Sequence, residues 1–328
     1  MRSLKNNFAP VNKIPSDIFG IIPGCWGEDD RDRSLVAMTH VCRGWREILI
    51  ARSPLWTRLD CMSSDKTRIY IERSKASPLE LALCKRGATT YLEDAFLLVI
   101  PHINRLKSLS IVGRRDILQN ITPHISCAIP HLREFTVDLT STPVPVLEGT
   151  LPNGDLPSLC SLSLAGVITN LPWRNLSKLT TFTLSRVPEG RISIAQLLDF
   201  FANSHHLMNI TLHHSIPVSS DAPPGRVVPL PYLKNLVIHA NRPHSILLNH
   251  LHIPAKASLV LEFDIDGDKS PLPDLLPKVL GNLKMSVPFT RLIFALIMSR
   301  SPCDWMDRVG GSTRLATEKI RLEPPRSF

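Results

Sequence analysis

The segment IPHLREFTV at residues 129–137 is matched in form by LPSLCSLSL at residues 156–164. Each segment has aliphatic side chains at its first and fourth positions and apolar side chains at its seventh and ninth positions. Apolar residues two apart are typical of a strand that buries one face, because successive strand side chains point to opposite faces. The pattern therefore predicts a short strand that is entered from a turn.

The same pattern recurs along the chain. Its seventh position is occupied in turn by Leu109, Phe135, Leu162, Phe182, Ile210 and Leu236, at intervals of 26, 27, 20, 28 and 26 residues. Such a spacing is typical of a solenoid with one supersecondary unit per repeat. Weaker copies at residues 79–83, 259–263 and 320–322 extend the pattern, so we predict an array over residues 62–323.

Two connecting segments have helical periodicity. Ser193 and Gln196 have the spacing of a capping box, and apolar residues at helical spacing follow them. Residues 91–100 have the same periodicity and end at Pro101, which cannot continue a helix. The repeat between Leu164 and Leu184 is too short for a full helix, so we expect an extended or single-turn connector there.

The N-terminal part of the chain has a different pattern. Ile14-Pro15 precedes Ile18, and because proline is tolerated in a first helical turn, a helix should begin near Pro15. Val41 and Trp45 begin an amphipathic pattern that Ile48 and Leu49 continue on the same face. These two patterns predict short helices.

A third landmark follows the second helix. The sequence Ser53-Pro54 should end the helix, because the residue before a proline is pushed out of the α region. Leu55 and Trp56 then lie just beyond the helix end. Three short helices cannot bury all of their own large apolar side chains, so we expect apolar surface here that a partner covers.

The order and spacing of these landmarks within residues 13–61 resemble an F-box. The resemblance implies that the chain binds a Skp-type adaptor and, through it, the cullin assembly of a ubiquitin ligase. The residues it assigns to partner binding are Ile14, Pro15, Ile18, Val41, Cys42, Trp45, Pro54, Leu55 and Trp56. The sequence departs from the F-box pattern after Ile22, where Pro23-Gly24 and the charged residues 28–33 interrupt the second helix.

The repeats resemble the irregular leucine-rich repeats that accompany F-boxes. That resemblance implies one parallel strand and one connecting helix or turn per repeat. The Asn or Cys that usually follows the Leu-x-Leu is mostly absent, so a regular asparagine ladder is not expected. The predicted fold is an α/β solenoid: a small N-terminal three-helix F-box-like module at residues 13–61, followed by an irregular leucine-rich-repeat array at residues 62–323.

The composition favours an intracellular protein of the cytoplasm or nucleus, with no membrane association. The 328-residue chain has no uninterrupted apolar run long enough to span a membrane and no signal-peptide-type run in its first residues. Its 7 cysteines form no Cys-x-x-Cys pair and are predicted to be reduced. The net charge of +9 is dispersed and not interleaved with aromatic residues, so nucleic-acid binding is not expected.

The sequence predicts neither an enzyme nor a cofactor or metal site. Neighbouring side chains face opposite sides of a strand, so neither His205-His206 nor His213-His214 forms a ligand set at once. The acidic run that begins at Asp264 lacks the glycine at position six and the glutamate at position twelve of a calcium loop, and is better explained as a turn after a strand.

These observations predict a non-catalytic subunit that recruits an unknown protein target to a ubiquitin ligase. The target would contact strand positions that lie between the buried ones, and the candidates are Ser110, Thr136, Ser163, Thr183, Thr211 and Val237. The alternative is a protein-interaction scaffold in which the F-box-like helices only cap the end of the solenoid, because repeat arrays require end caps.

Overall fold

The structure is a computed structural model with two compact units. It describes residues 13–25, 28–60, 63–84, 90–113, 129–139, 146–147, 156–169, 176–187, 192–215, 225–240, 245–254, 256–265, 291–298 and 319–321. The units are Met1–Leu109 and Ser110–Phe328. Both contain helices and parallel strands, which confirms the α/β class. The predicted boundary between residues 61 and 62 falls inside the first unit.

The first unit begins with short helical segments. They are α1 (Ser16–Phe19), a 3-10 turn (Ile22–Cys25), α2 (Glu28–Thr39), α3 (Arg43–Ala51) and a second 3-10 turn (Ser53–Trp56). Pro15 is the N-cap of α1, which confirms that a helix begins there. Helix α3 ends before Ser53-Pro54, as the proline predicts. The interruption after Ile22 contains the first 3-10 turn, but the charged residues 28–33 are the first half of α2, so the expectation that they interrupt the second helix is wrong.

The rest of the first unit alternates strands with helices. The elements are β1 (Arg58–Asp60), α4 (Ser64–Ser74), β2 (Leu79–Cys84), α5 (Thr90–Val99), a 3-10 segment (Ile100–Arg105) and β3 (Leu106–Gly113), whose second half belongs to the second unit. Strand β1 pairs in parallel with β2, and Leu59 lies opposite Leu81. Helix α5 confirms the helical periodicity of residues 91–100.

The second unit is built around a mostly parallel sheet. The strands after β3 are β4 (Glu134–Leu139), β5 (Val146–Leu147), β6 (Ser161–Ala165), β7 (Ile168–Thr169), β8 (Thr181–Ser185), β9 (Asn209–His213), β10 (Val228–Pro229), β11 (Asn235–Ala240), β12 (Leu251–His252), β13 (Ser258–Ile265), β14 (Arg291–Met298) and β15 (Lys319–Arg321). The main sheet runs in the order β4-β6-β8-β9-β11-β13-β14-β15. The short strands form the separate pairs β5-β7 and β10-β12.

The repeat pattern sets the register of these strands. Phe135 pairs with Leu162, and the same row continues through the equivalent residue of each later strand to Leu259 on β13. The row is Phe135, Leu162, Phe182, Ile210, Leu236 and Leu259, and each member is at most 1% exposed. Val137 and its equivalents form a second buried row. The predicted strands and their buried positions are confirmed.

The first and fourth positions of each repeat close a turn before the strand. The N–H at the fourth position donates to the carbonyl at the first, as in Leu132 to Ile129 at 3.2 Å and Leu159 to Leu156 at 3.1 Å. In the repeat of β9 the first position is Ser204, which is fully buried and donates its hydroxyl to the Leu176 carbonyl oxygen at 3.4 Å. The serine satisfies its polar group where the other repeats have an aliphatic side chain.

Helix α6 (Ile194–Asn203) has the predicted capping box. The Gln196 N–H donates to Ser193 Oγ at 3.1 Å, and the Ser193 N–H donates to Gln196 Oε1 at 2.9 Å. The short repeat contains the two-residue strand β7, and residues 170–175 lie outside the described part. One further helix, α7, spans Ser245–Leu248.

Two expectations need correction. The segment containing Ile320 forms β15, which is antiparallel to β14 and therefore does not continue the parallel repeat. Cys84 is disulfide-bonded, whereas Cys25, Cys42 and Cys160 are free, so the expectation that every cysteine is reduced is wrong. Across the described residues, every helix is too short or too polar to cross a membrane.

Candidate interaction surfaces

The third predicted landmark, Pro54-Leu55-Trp56, is divided between surface and interior. Pro54 is exposed, but Leu55 is 8% exposed and Trp56 is 1% exposed. Trp56 donates its Nε1–H to the Leu49 carbonyl oxygen at 2.9 Å and meets the Tyr70 ring edge to face at 5.0 Å. Leu55 and Trp56 therefore do not provide the open apolar surface that the sequence predicted for them.

The partners of Trp56 come from two other elements. The Arg73 guanidinium of α4 lies 4.3 Å from the centre of the indole ring, on its face. Burial raises the pKa of the Tyr70 hydroxyl above its usual value, and the carboxylate of Asp32 raises it further. Tyr70 therefore stays neutral beside the indole. This cluster connects α3, the 3-10 turn and α4.

Other predicted partner-binding side chains remain open. Ile18 is 55% exposed and Val41 is 58% exposed, while Ile14, Cys42 and Trp45 are half-buried and Pro15 is exposed. Ile21, which the sequence did not single out, is 59% exposed. Val41 precedes α3 and Pro54 follows it, so the 9-residue helix separates them by about 13 Å. The landmarks thus mark both ends of one helix.

Arg52 fixes the position of α1. Its Nη2 donates to the Ser16 carbonyl oxygen at 2.7 Å and to Asp17 Oδ1 at 2.7 Å. A Cβ atom at Gly20 would lie 2.1 Å from Arg52 Nε, so a larger residue at this position would displace the arginine side chain. Ile18 is thereby held near the end of α3. Sequence reasoning missed Arg52 because its partners lie 35 and 36 residues earlier in the chain.

In the second unit, the strand face opposite the buried rows carries small polar residues. Thr136 pairs with Ser163, and the row continues to Val260 on β13. The row contains Thr136, Ser163, Thr183, Thr211, Val237 and Val260, all half-buried. Ser110 of β3 is also half-buried. The candidate target-contact residues on β4 to β11 therefore form one line across neighbouring strands.

A row of amides and hydroxyls lies beside this line, at the start of the strands. Asn235 Nδ2 donates to Asn209 Oδ1 at 2.7 Å, and Asn209 Nδ2 donates to Thr181 Oγ1 at 3.4 Å. The three residues are paired in the sheet register. They form a short hydrogen-bonded ladder at the start of the strands. The asparagine ladder that was not expected is a different one, because it would follow the Leu-x-Leu at the end of each strand.

Histidines gather where β9 and β11 end. The His213 and His239 rings are 5.5 Å apart, and those of His214 and His239 are 4.6 Å apart. Burial lowers the pKa of His213, and the neighbouring His239 and His214 lower it further. His239 Nδ1 also lies 3.7 Å from Glu262 Oε2. The lowered pKa keeps the His213 imidazole neutral at pH 7.

The residue after each strand has a left-handed backbone in three successive repeats. Gly166, Arg186 and His214 have φ values of 62°, 54° and 46°. Each donates its N–H to an equivalent carbonyl near the end of the next strand, as Gly166 does to the Ser185 carbonyl oxygen at 2.9 Å. Arg186 also forms an ion pair with Asp138. Aligning the repeats would have found these positions, because each lies four residues after the seventh position.

Among the described residues, no three His, Cys, Asp or Glu side chains are placed to hold a metal ion. No model of a known protein family matches the chain, and no curated protein matches it either.

Proposed function

We propose that this chain is a non-catalytic recruiting subunit of a cullin-type ubiquitin ligase, acting in the cytoplasm or nucleus. Its N-terminal helices would bind a Skp-type adaptor, and the polar strand face of its second unit would bind a target protein. The observation that supports this most is the exposure of Ile18 and Val41, at 55% and 58%. Large apolar side chains left open at the landmarks of an interaction motif are suited to a partner surface.

The repeats support the second half of the proposal. One parallel strand per repeat, in a constant register from β4 to β13, is the arrangement expected of a leucine-rich-repeat solenoid. Because the buried rows form the core and the intervening row lies on the opposite strand face, residues of the intervening row can vary without affecting the core. Target specificity would therefore depend on the row from Thr136 to Val237 and on the side chains beside it.

Within this proposal the predicted contact residues have two roles. Ile18, Val41 and Pro54 are exposed and would touch the adaptor, together with the half-buried Trp45. Leu55 and Trp56 would act indirectly, because their burial holds α3 against α4.

The second candidate is a binding scaffold in which the N-terminal helices only cap the array. The burial of Trp56 and the pairing of β1 with β2 favour it, because both join the helical segment to the following strands. If the helices only cap the array, Ile18 and Val41 do not have to contact a partner. The two candidates therefore differ in what substitution of exposed residues should do.

The test is binding of the purified full-length chain to a purified Skp-type adaptor. We expect Ile18→Ala with Val41→Ala to weaken binding at least about tenfold, because an apolar anchor at an interface centre contributes about 2 kcal/mol or more. The matched control is Ile69→Ala with Leu97→Ala, which removes side chains of similar exposure, 42% and 49%, on α4 and α5. The control should bind as well as the parent.

Point variants are preferable to removal of the first 60 residues. That truncation would delete β1 and uncover β2 and Tyr70, so it would damage the first unit under either candidate. If the parent chain does not bind the adaptor, the ligase proposal is wrong and the scaffold candidate remains. If both double variants weaken binding equally, the contact surface is wrongly assigned.

A further inference from the structure

The turns that precede the strands of the second unit form one continuous edge of the sheet. We define the amino-terminal edge as residues 129–133, 156–160, 176–180, 204–208, 230–234, 254 and 256–257. Each turn is closed by the same hydrogen bond from its fourth to its first position, at 2.9 to 3.2 Å. Because the strands are parallel and in register, all of these turns lie at the same end of the sheet.

The backbone of this edge is held by a repeated pair of hydrogen bonds. The Arg133 carbonyl oxygen accepts from the Cys160 N–H at 2.8 Å and from the Ser161 N–H at 2.9 Å. The carbonyls of Cys160, Thr180 and Met208 accept two N–H groups from the next turn in the same way. The backbone of the edge is therefore already ordered before a ligand binds. Binding does not have to offset the entropy cost of ordering these turns.

The edge carries a strong excess of positive charge. Its exposed cationic side chains are Arg133, Lys178, Lys234 and Lys256. Within the described residues, these side chains form no ion pair or hydrogen bond, and the only carboxylate next to them is Glu134, the first residue of β4. Elsewhere in the unit, Arg186 and Arg226 are neutralised by Asp138 and Asp199. Among the side chains that the structure describes in this unit, the cations without a carboxylate partner therefore lie at this edge.

The cations recur along the edge at two different turn positions: Arg133 and Lys234 directly precede their strands, whereas Lys178 lies three residues before the first residue of β8. Arg133 precedes β4, Lys178 precedes β8 and Lys234 precedes β11, and one strand lies between each pair in the sheet. Neighbouring strands are about 4.8 Å apart, so successive cations are offset by roughly 10 Å across the sheet. An extended polypeptide advances about 3.3 Å per residue, so the same distance is covered by about three residues. Lys256 precedes the next strand, β13.

We propose that the amino-terminal edge binds an extended acidic segment of a target protein, with carboxylates at about every third residue. This inference rests on the proposed function, because the acidic segment is assigned to the target protein that the chain would recruit. A protein segment fits better than a nucleic acid, because single-stranded nucleic acids are held by several aromatic platforms between basic residues. Among the described residues of the edge, Tyr232 is the one exposed Phe, Tyr or Trp residue, and its ring is already stacked with that of His206 at 5.6 Å.

The experiment measures binding of labelled peptides to the full-length chain by fluorescence anisotropy at low ionic strength, without adaptor. The first probe is a nine-residue peptide with glutamate at positions one, four and seven and serine or glycine elsewhere. The second has the same composition with its three glutamates adjacent, and the third has glutamine in place of glutamate. We expect the spaced peptide to bind about threefold more tightly than the clustered one and at least about tenfold more tightly than the glutamine peptide.

The matched protein variants each remove three positive charges. Arg133→Gln with Lys178→Gln and Lys234→Gln should weaken binding of the spaced peptide about tenfold, because each exposed charge pair contributes a factor of up to about five. The control, Arg33→Gln with Arg43→Gln and Arg68→Gln, changes exposed arginines of the first unit and should change binding less than twofold. Circular dichroism of both variants checks that the fold is retained.

Three results would overturn the proposal. Equal loss of binding in both triple variants would mean that only net charge matters. Equal binding of the spaced and glutamine peptides by the parent chain would mean that the edge does not select carboxylates. The third result is that an eight-nucleotide single-stranded DNA binds more tightly than the spaced peptide, and that the edge variant loses this binding while the control retains it. The amino-terminal edge would then be a nucleic-acid-binding surface. None of these results depends on adaptor binding, so failure here is distinguishable from failure of the ligase proposal.

Discussion

The two units bury their apolar residues in different ways. In the second unit, Leu162 lies between Phe135 and Phe182, which occupy the same position of neighbouring repeats. In the first unit, Trp56 has no equivalent partner and instead contacts the Leu49 carbonyl oxygen and the Tyr70 ring. The second unit makes one kind of contact many times, and the first makes each of its contacts once.

This difference has consequences for stability and for function. In a repeated core each side chain touches neighbours of its own kind, so a local defect affects the adjacent repeats first. In the first unit, loss of Trp56 affects α3, the 3-10 turn and α4 together. The surface residues of the two units differ in the same way. Val41 lies beside one helix end of the first unit, whereas Ser163 belongs to a row of similar residues on neighbouring strands of the second unit.

The largest effect is expected in the repeated core. Leu162→Asp should unfold most of the second unit, because an unpaired carboxylate would be buried where the native side chain is fully buried. Ser163→Asp adds the same charge to the next residue on the half-buried face and should leave the unit folded. Thermal unfolding followed by circular dichroism distinguishes the two variants. Similar melting curves would contradict the strand register.

The next largest effect is expected at the unique contact of the first unit. Trp56→Ala should lower the free energy of unfolding by about 3–5 kcal/mol, the usual cost of removing a large buried aromatic side chain. Trp56→Phe should cost less, because it keeps much of the packing and loses the hydrogen bond to Leu49. Val41→Ala should change stability by less than about 0.5 kcal/mol, since Val41 is largely exposed. Denaturant unfolding with hydrogen exchange of α3 and α4 measures these differences, and a Val41→Ala cost comparable to Trp56→Ala would reverse the assignment.

A smaller effect is expected at the capped helix of the second unit. Ser193→Ala should destabilise the protein by about 1 kcal/mol, because the N–H of Gln196 loses its acceptor. Ser63→Ala is the matched control, since Ser63 occupies the N-cap position of α4 but its side chain makes no capping hydrogen bond. Chemical denaturation of the two variants checks the prediction. The capping box would be irrelevant to stability if both variants unfolded at the parent's midpoint.

The smallest effect is expected from the histidine cluster. Because burial and the neighbouring His239 and His214 lower the pKa of His213, the unfolded chain binds more protons than the folded chain as the pH falls through about 6.5. Stability is therefore complete above the unfolded pKa and declines as the pH falls toward the lowered pKa. His213→Gln should reduce this decline in the unfolding free energy between pH 7.5 and 5.5, because one imidazole no longer titrates.

The control for the histidine prediction is His252→Gln, which changes an exposed histidine of β12. Denaturant titrations at several pH values give the dependence of the unfolding free energy for the parent and both variants. The prediction fails if His213→Gln has the same pH dependence as the parent.

The repeats were predictable because their signal is both local and repeated. Apolar residues at positions seven and nine specify a strand with one buried face, and parallel pairing then requires equivalent positions to align. The helix α6 was equally accessible, because a capping box uses residues within one turn. Alternation does not encode strand direction, however, so the segment with Ile320 was indistinguishable from a repeat although β15 runs antiparallel.

The sequence by itself determined the strand positions, the register of β4 to β13, the cap of α6 and the helix starts near Pro15 and after Val41. Only the tertiary structure decided which apolar landmarks are interior and which are open. Trp56 and Val41 have similar hydrophobic signals, but the burial of Trp56 depends on Tyr70 and Arg73 of α4, which lie outside the motif. The same holds for the amino-terminal edge, where the parallel register brings four cations that are far apart in sequence to one end of the sheet. Periodicity specifies which face of an element is apolar, whereas burial depends on the distant elements that pack against that face.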